Sequence, residues 1–377
     1  MIYLDNAATG FPKPPSVYRT ARLAAALPLG NPGRSGHALA RRSDGILFSA
    51  RESLARMFRT DPERIIFTGG ATAALNLAVR GAAAALFRTA PVETVATVYE
   101  HNSVLRPLYD LEKEGKIRLR LYAPGKENTP EAFFSFLPKG AGLCVLTAMS
   151  NVTGFTLPLP AIAEELNRRG VFLIADAAQA AGVMPVDFDH LPADLICAPA
   201  HKGLQGIMGA GVIAVSPKAK RLPEPVFSGG SGIAPFERDM PRLLPERLEA
   251  GTPPLPAIAA LKAGADFLFR RGVEEIAEKE AALKKRLAEG LSVLPGFTLY
   301  GAEYPLGPLS FRRKGEDVNE TADALEKSGV LCRAGIHCAP LAHRHLGTAP
   351  HGTVRLSVGA LTAPREIEAA LRALARL

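Results

Sequence analysis

A lysine and an aspartate lie 26 residues apart in the sequence, each among small or apolar neighbours that would not stabilise its charge. Lys202, in the tripeptide HKG, lies among glycine, alanine and proline residues. That setting suits a Schiff-base lysine whose pKa is lowered by burial. Asp176 follows the apolar run 171–175, where an unpaired carboxylate is unfavourable. It either caps the helix that follows or pairs with a protonated heterocyclic nitrogen.

A third group is the segment TGGAT at 68–72, between a strand-like run and a helical stretch. Small residues let backbone N–H groups approach an anion, and a helix N-terminus adds partial positive charge. Taken alone, a plain tight turn explains the segment equally well. Together, a lysine, an acid and an anion site are what pyridoxal phosphate requires, with a group that stacks on its ring.

Strand-like apolar runs alternate with helical patterns through the first two-thirds of the chain. The predicted strands are 64–68, 94–99, 142–147, 171–175, 193–198 and 210–215. This alternation predicts an α/β fold with a mostly parallel sheet that helices cover on both faces. Ligands bind such sheets at the carboxyl ends of the strands, where segment 68–72, His101, Asn151 and Asp176 fall.

The composition changes after Val215. Residues 216–256 are rich in proline and glycine, and an amphipathic helix over 257–291 follows, with a break near Gly272. Short strands and helices alternate in the remainder. We therefore expect a large domain over 15–250 that binds the cofactor, and a small α+β domain made of 1–14 and 251–377.

Composition excludes several classes of protein. The net charge of +8 is modest for 377 residues, and only 6% of residues are aromatic, with no tryptophan. The dispersed basic residues therefore predict no nucleic-acid partner. The longest uncharged run, 140–163, contains prolines and polar residues, so we expect no membrane span. Four scattered cysteines and an N-terminus unlike a secretory signal predict a reducing, cytoplasmic location.

From YLDNAATG near the N-terminus to GTVRLSVG near the C-terminus, the chain resembles the class V, fold-type I pyridoxal-phosphate enzymes. Within them it is similar to the cysteine desulfurases and selenocysteine lyases. The resemblance implies a large domain with a mostly parallel seven-stranded sheet covered by helices, and a smaller α+β C-terminal domain. It also implies pyridoxal 5'-phosphate as cofactor and a homodimer as the active unit.

The resemblance implies roles around the cofactor ring. Lys202 would form the Schiff base, and Asp176 would pair with the pyridine nitrogen. Gln179 would hydrogen-bond the phenolic oxygen. His101, in EHNSV, would stack on the ring and assist proton transfers, and Asn151, in MSNVTG, would lie beside it.

It also implies ligands for the phosphate. These are Ala71, Thr72 and His201, with Thr252 of EAGTP reaching the phosphate of the neighbouring subunit. Family members usually carry serine or threonine three residues before the lysine, but this chain has Pro199, which offers no donor. Either phosphate binding rests more on Thr72, His201, Thr252 and backbone amides, or the affinity for the cofactor is lower.

The segment RAGIHCAP at 333–340 resembles the RxGxxCA segment of Suf-type desulfurases, in which the cysteine accepts sulfur. The resemblance implies that Cys338 is the nucleophile. Arg355, in TVRL, matches the arginine that grips the substrate carboxylate, and Arg333 is expected to be a second contact. Arg333 and His337 would favour the reactive thiolate of Cys338.

Cysteine and histidine also cluster in this stretch, which is a signal for metal binding. Their spacing lacks the pairs typical of zinc sites, so no metal is predicted. The residues concerned are Cys332, His337, Cys338, His343, His345 and His351.

We therefore expect a cysteine desulfurase that converts L-cysteine to L-alanine, leaves a persulfide on Cys338 and passes the sulfur to an acceptor protein. A selenocysteine lyase is the nearest alternative. A class V aminotransferase or a β-eliminating lyase, with Cys338 incidental, is the next. A catalytically silent sulfur-transfer scaffold is the non-enzymatic alternative, but the intact set of Lys202, Asp176 and His101 disfavours it.

Overall fold

The computed structural model describes residues 1–125 and 127–377. Its strands are β1 (Ile2–Tyr3), β2 (Ile65–Thr68), β3 (Val92–Thr97), β4 (Ile117–Tyr122), β5 (Leu143–Thr147), β6 (Phe172–Asp176), β7 (Leu195–Pro199), β8 (Gly211–Val215), β9 (Phe297–Tyr300), β10 (Leu309–Arg313), β11 (Val330–Leu331), β12 (Arg333–Gly335) and β13 (Thr353–Leu356). Its α-helices are α1 (Pro15–Ala26), α2 (Ala38–Phe58), α3 (Ala71–Leu86), α4 (Asn102–Lys113), α5 (Pro130–Phe136), α6 (Leu159–Arg168), α7 (Leu255–Arg271), α8 (Val273–Ser292), α9 (Val318–Lys327), α10 (Pro340–His345) and α11 (Pro364–Leu374).

Seven strands form the large sheet, in the order β2-β8-β7-β6-β5-β3-β4. All neighbouring strands are parallel except those next to β8, which runs antiparallel to both β2 and β7. Successive residues of β6 point to opposite hydrophobic clusters: Leu173 and Ala175 lie in one, Phe172 and Ile174 in the other. Because both faces are buried at the centre of the sheet, β5, β6, β7 and β8 are almost wholly apolar. The mostly parallel seven-stranded sheet is confirmed.

The smaller sheet has the order β12-β13-β10-β9. Its core includes Leu4 of the N-terminal segment, because β1 pairs with β11 and brings this residue onto the smaller sheet. Helices α7 and α8 are separated at Gly272, as expected, where a positive φ of 84° ends the first helix. Helix α7 packs into the core of the large sheet, and the domain boundary at 250/251 stays a prediction.

Strand β4 has no counterpart among the predicted strands. Arg118 and Arg120 alternate with apolar residues, because β4 is at the edge of the large sheet and exposes one face. Residues 216–254 contain no helix or strand. In the described ranges, no helix is long and apolar enough to cross a membrane.

Candidate active site

A cleft opens at the carboxyl ends of β5 and β6, between the N-termini of α3 and α4 and the smaller sheet. Its volume is about 380 Å³, which lies within the range of small-molecule and cofactor sites. Ten residues predicted for the site line it: Ala71, Thr72, His101, Asn151, Asp176, Gln179, His201, Lys202, Arg333 and Arg355. The fold thus gathers side chains from positions 71 to 355 in one place.

Lys202 projects from the loop between β7 and β8. Gly203 is required after it, because a Cβ there would lie 2.3 Å from the carbonyl oxygen of Ala181. Burial lowers the pKa of Lys202 to about 8, opposed by the carboxylate of Asp176 and reinforced by Arg355 and Arg333. A lysine amine that is partly unprotonated near neutral pH is a competent nucleophile.

Asp176 is the last residue of β6 and only 3% exposed. Among the described residues its carboxylate accepts one hydrogen bond, from the Ala178 N–H to Oδ1 at 2.9 Å. Burial raises its pKa, while that N–H and the charge of Lys202 lower it. A buried carboxylate with so little support has capacity for a cationic donor, such as a protonated ring nitrogen.

His101 caps helix α4. Its Nδ1 accepts the backbone N–H of Ser103 at 3.0 Å, which leaves Nε2 to carry the proton. Burial lowers the pKa of His101 to about 4, with further lowering by Lys202 and by arginines. The ring is therefore neutral at pH 7.

Ser103 is a site residue that sequence reasoning missed. Its hydroxyl lies 2.9 Å from His101 Nδ1 and 2.8 Å from Thr72 Oγ1. It thus joins the histidine of one helix to the threonine at the start of another. The motif EHNSV places Ser103 two residues after His101, which is a signal that the sequence offers. Its contact with Thr72 joins residues 31 positions apart, which no local pattern indicates.

The anion site predicted at segment 68–72 lies at the start of helix α3. Gly70 precedes the helix with a φ of 138° and supplies no side-chain cap, so the first N–H groups of the helix have no intrahelical acceptor. Gly211, the first residue of β8, packs against Gly70, because a Cβ on Gly211 would lie 2.5 Å from the Gly70 carbonyl carbon. These features leave room for an anion against the helix terminus.

His201 and Pro199 complete this side of the site. His201 lines the cleft, and its buried Nδ1 has no hydrogen-bond partner in the described part of the chain. Burial lowers the pKa of His201 to about 4, helped by Lys202 and Lys13. Pro199 ends β7, pairs with Gly211 and is not among the residues that line the cleft.

Gln179 and Asn151 are fixed by contacts across the cleft. Gln179 Nε2 donates to the carbonyl oxygen of Ala7 at 2.9 Å, which leaves its side-chain oxygen as an acceptor. Asn151 Nδ2 donates to the carbonyl of His337 at 2.7 Å, and its buried Oδ1 has no partner within the described residues. Both amides retain unused hydrogen-bonding capacity.

Arg355 lies on β13 and is 1% exposed. Its two terminal nitrogens donate to Asp5 Oδ1 at 2.8 Å and to the Asn151 carbonyl at 3.0 Å. Its Nε is buried and unpartnered among the residues described. Asp5 therefore orients Arg355, the residue predicted to bind the substrate carboxylate. The sequence analysis assigned Asp5 no role, and it lies 350 residues from Arg355 in the chain.

Cys338 lies beside the cleft rather than in its lining. The thiol is exposed, and Arg333 approaches it to 4.0 Å. His337 and Cys338 both have left-handed backbone conformations, with φ of 51° and 58°. Hydrogen bonds hold them there, since the Asn102 N–H donates to the Cys338 carbonyl at 2.8 Å and Asn151 donates to that of His337.

The expected help of His337 to the thiolate is wrong. Its ring is 2% exposed, and its Nε2 lies 3.1 Å from the Thr353 carbonyl. Burial lowers the pKa of His337 to about 2, with Arg355 adding to the effect, so the ring carries no positive charge. Arg333 alone of the two supplies charge near Cys338.

The other cysteines differ sharply from Cys338. Cys144 and Cys197 lie buried in β5 and β7, and burial raises the pKa of both, as expected of core thiols. Burial also raises the pKa of the half-buried Cys332 to about 12. Across the described ranges, no three histidine, cysteine or acidic side chains are grouped as metal ligands.

Thr252 does not join the cleft within one chain. It is exposed, accepts a hydrogen bond from Asn31 at 3.2 Å and borders a neighbouring depression shared with Gly69 and Gly209. Its contribution to a partner's phosphate site stays a prediction.

The residues present fit pyridoxal phosphate. Orphaned buried polar atoms on Asn151, His201 and Arg355 face the same cleft as Lys202. The Asp176 carboxylate has capacity for a ring cation, and the uncapped α3 terminus has capacity for a phosphate.

Comparisons with known proteins agree with this geometry. A family model described as aminotransferase class-V matches residues 2–370. A probable cysteine desulfurase of Pyrococcus abyssi is 30% identical over 388 aligned residues, which span 100% of this chain and 94% of the relative.

Two solved structures are similar over almost the whole chain. The apo structure of a cysteine desulfurase from Thermococcus onnurineus NA1 has a TM-score of 0.90 and 28% identity, covering 100% of this chain and 94% of its own. The cysteine desulfurase CsdA from Escherichia coli has a TM-score of 0.89 and 25% identity, covering 99% and 94%.

Topology and cleft together define a fold-type I pyridoxal-phosphate-dependent enzyme. The chain belongs to the aminotransferase class-V family.

Proposed function

We propose that this protein is a cysteine desulfurase, which uses pyridoxal phosphate to convert L-cysteine to L-alanine and leaves the sulfur as a persulfide on Cys338. The observation that carries the proposal is the placement of an exposed cysteine, with Arg333 beside it, next to a cleft that contains Lys202, Asp176 and Arg355. An aminotransferase would need no such thiol.

The cofactor would be held by Lys202 at its aldehyde, by Asp176 at its ring nitrogen, and by Thr72, His201 and the α3 terminus at its phosphate. When bound, it supplies an electron-withdrawing ring that acidifies the α-carbon of an amino acid. Asp176 would keep the ring nitrogen protonated, and the neutral His101 would pack beside the ring with its Nε2–H free to donate.

Arg355 and Lys202 act on the substrate. The Arg355 guanidinium, oriented by Asp5, binds the substrate carboxylate through its unused N–H groups. Lys202 Nζ accepts the α-proton, because burial lowers its pKa to about 8 and leaves part of the amine unprotonated.

Cys338 removes the sulfur. Its thiolate attacks the substrate sulfur, so an S–S bond forms while the carbon–sulfur bond breaks and its electron pair passes to the carbon skeleton. Protonation of the former β-carbon then gives the methyl group of alanine. The Arg333 guanidinium, 4.0 Å from Sγ, places a positive charge beside the reacting sulfur.

We propose a homodimer and a protein acceptor as partners. Exposed apolar side chains in the irregular segment 216–254 support an interface, and Phe236 is 99% exposed. Thr252 lies close by in sequence and is exposed, as a residue shared with a partner must be. The exposed Cys338 thiol can hand its persulfide sulfur to a second thiol without opening the cleft.

The test is incubation of cofactor-loaded protein with L-cysteine, followed by quantitation of alanine, sulfide and protein persulfide. Alanine together with a persulfide mapped to Cys338 supports the proposal. Pyruvate and ammonia would indicate β-elimination, and a 2-keto acid without sulfur release would indicate transamination. A parallel incubation with selenocysteine compares the rates of alanine release from the two amino acids, and so addresses the alternative of a selenocysteine lyase.

A further inference from the structure

Three donors from the N-terminal segment converge on one carbonyl oxygen, that of His201. The Gly10 N–H donates at 2.9 Å, the Thr9 hydroxyl at 3.2 Å and the Lys13 amine at 2.5 Å. This carbonyl belongs to the peptide unit that joins His201 to Lys202. The contacts therefore act on the backbone immediately before the cofactor lysine.

Lys13 is an unusual residue in this position. It is 7% exposed, and the structure shows no carboxylate paired with it in the ranges described. Burial lowers its pKa to about 8. A carbonyl oxygen has two lone pairs, and Gly10 and Thr9 already use them. The buried amine is thus not needed merely to satisfy that oxygen, and its cost in desolvation calls for another role.

Gly10 shows how tightly the segment is packed on the lysine loop. A Cβ at this position would lie 3.0 Å from Lys13 Nζ and 3.2 Å from the Lys202 carbonyl. The same segment contacts Arg355 through Asp5 and Gln179 through the Ala7 carbonyl. One short stretch of chain thus ties the smaller sheet to the loop that carries Lys202.

We propose that Lys13 is a positioning residue for Lys202: its amine clamps the 201–202 peptide and so sets where Lys202 Nζ lies in the cleft. The inference rests on the proposed function, because the property that it controls is the capture of pyridoxal phosphate by Lys202. It assigns no contact between Lys13 and the cofactor.

The first experiment measures uptake of pyridoxal phosphate by cofactor-free protein, from visible absorbance. Lys13→Met should raise the dissociation constant about tenfold, the loss expected for one charged hydrogen bond. Lys262→Met is the matched control, since Lys262 pairs with Asp266 on the surface of α7, and it should bind like wild type. Equal uptake by Lys13→Met and wild type overturns the inference.

A second readout needs no cofactor. Burial, Lys202 and Lys13 together hold the pKa of His201 at about 4. Removing the Lys13 charge should therefore move the imidazole titration of His201 to higher pH, as seen by nuclear magnetic resonance. An unmoved titration would mean that the Lys13 amine does not lie beside the 201–202 peptide in solution, which contradicts the assignment.

A third variant tests the inference if Lys13→Met does not fold. If circular dichroism shows that Lys13→Met is unfolded, Lys13→Gln decides, because its uncharged and shorter side chain keeps a polar group in the buried position but removes the amine bonded to the His201 carbonyl. We expect weaker uptake by about threefold, and unchanged uptake overturns the inference. If the wild-type protein takes up no pyridoxal phosphate, the proposed function itself is overturned. This outcome differs from equal uptake by wild type and variant, which overturns only the role of Lys13.

Discussion

The cofactor edge (Asp176, Lys202 and His101) and the cysteine segment (residues 333–339) differ in how they are held. At the cofactor edge, the side chains project from the end of β6, the start of α4 and the loop after β7, and burial shifts their pKa values. In the cysteine segment, hydrogen bonds fix the backbone of His337 and Cys338 in left-handed conformations while the thiol stays exposed. The difference separates two tasks, because binding a cofactor needs buried charges whereas sulfur delivery needs an accessible atom.

The largest effect should come from the cofactor edge. Lys202→Ala removes the amine that would bind the cofactor aldehyde, and we expect loss of the reducible covalent linkage and of all turnover. Borohydride reduction followed by peptide mass spectrometry checks this, with Lys262→Ala as control. A linkage found on another lysine would show that the cofactor edge is wrongly placed.

Asp176→Asn should leave the cofactor bound but lower turnover by a factor of about 10² to 10⁴, because an amide cannot stabilise a protonated ring nitrogen. Steady-state alanine production measures the loss. Asp194→Asn is the matched control, since Asp194 is also a largely buried acid but bonds the Leu173 N–H at the opposite end of β6. Near-normal turnover in Asp176→Asn would remove Asp176 from the cofactor edge.

The rate at which cofactor-free protein captures pyridoxal phosphate should rise with pH and level off above about 8, the pKa that burial gives Lys202. Only the unprotonated Nζ attacks an aldehyde, so below pH 8 the rate falls about tenfold per pH unit. Stopped-flow absorbance follows it. A rise that continues to about pH 10, as for an ordinary lysine, would mean that Lys202 is not desolvated in solution.

The smallest effect concerns the partner subunit. Thr252→Ala should weaken retention of the cofactor by about tenfold, the contribution of one hydrogen bond to a charged group. Thr60→Ala, which removes a hydroxyl bonded to the Val215 carbonyl far from the cleft, serves as control. Light scattering combined with absorbance gives the mass of the species that carries cofactor, and a monomer with full occupancy would refute the shared site.

The sequence predicts the cofactor edge better than the cysteine segment, for a physical reason. Lys202 and Asp176 reveal themselves locally, as charged residues among small or apolar neighbours that a parallel sheet buries. The roles of Asp5, Ser103 and Lys13 depend on contacts made between segments distant in the chain, and no local pattern reports these. His337 looked like a cation beside Cys338, but burial against Thr353 makes it neutral.

The prediction of the fold from the sequence missed one strand of the large sheet, β4. Strand β4 carries alternating arginines because only one of its faces is buried, whereas the predicted strands are apolar throughout. The alternation IRLRLY at 117–122 is the period-two pattern of a half-buried strand, and a prediction restricted to apolar runs misses it.

The most direct test of the account compares Cys338→Ala with wild type and with Cys332→Ala, all loaded with pyridoxal phosphate and given L-cysteine. Cys332 is the matched control, as a half-buried thiol six residues away with a pKa raised by burial. We expect Cys338→Ala to bind the cofactor normally, to form no persulfide and to release alanine at least about 10²-fold more slowly, while Cys332→Ala behaves like wild type. Alanine release from Cys338→Ala at the wild-type rate would contradict the account.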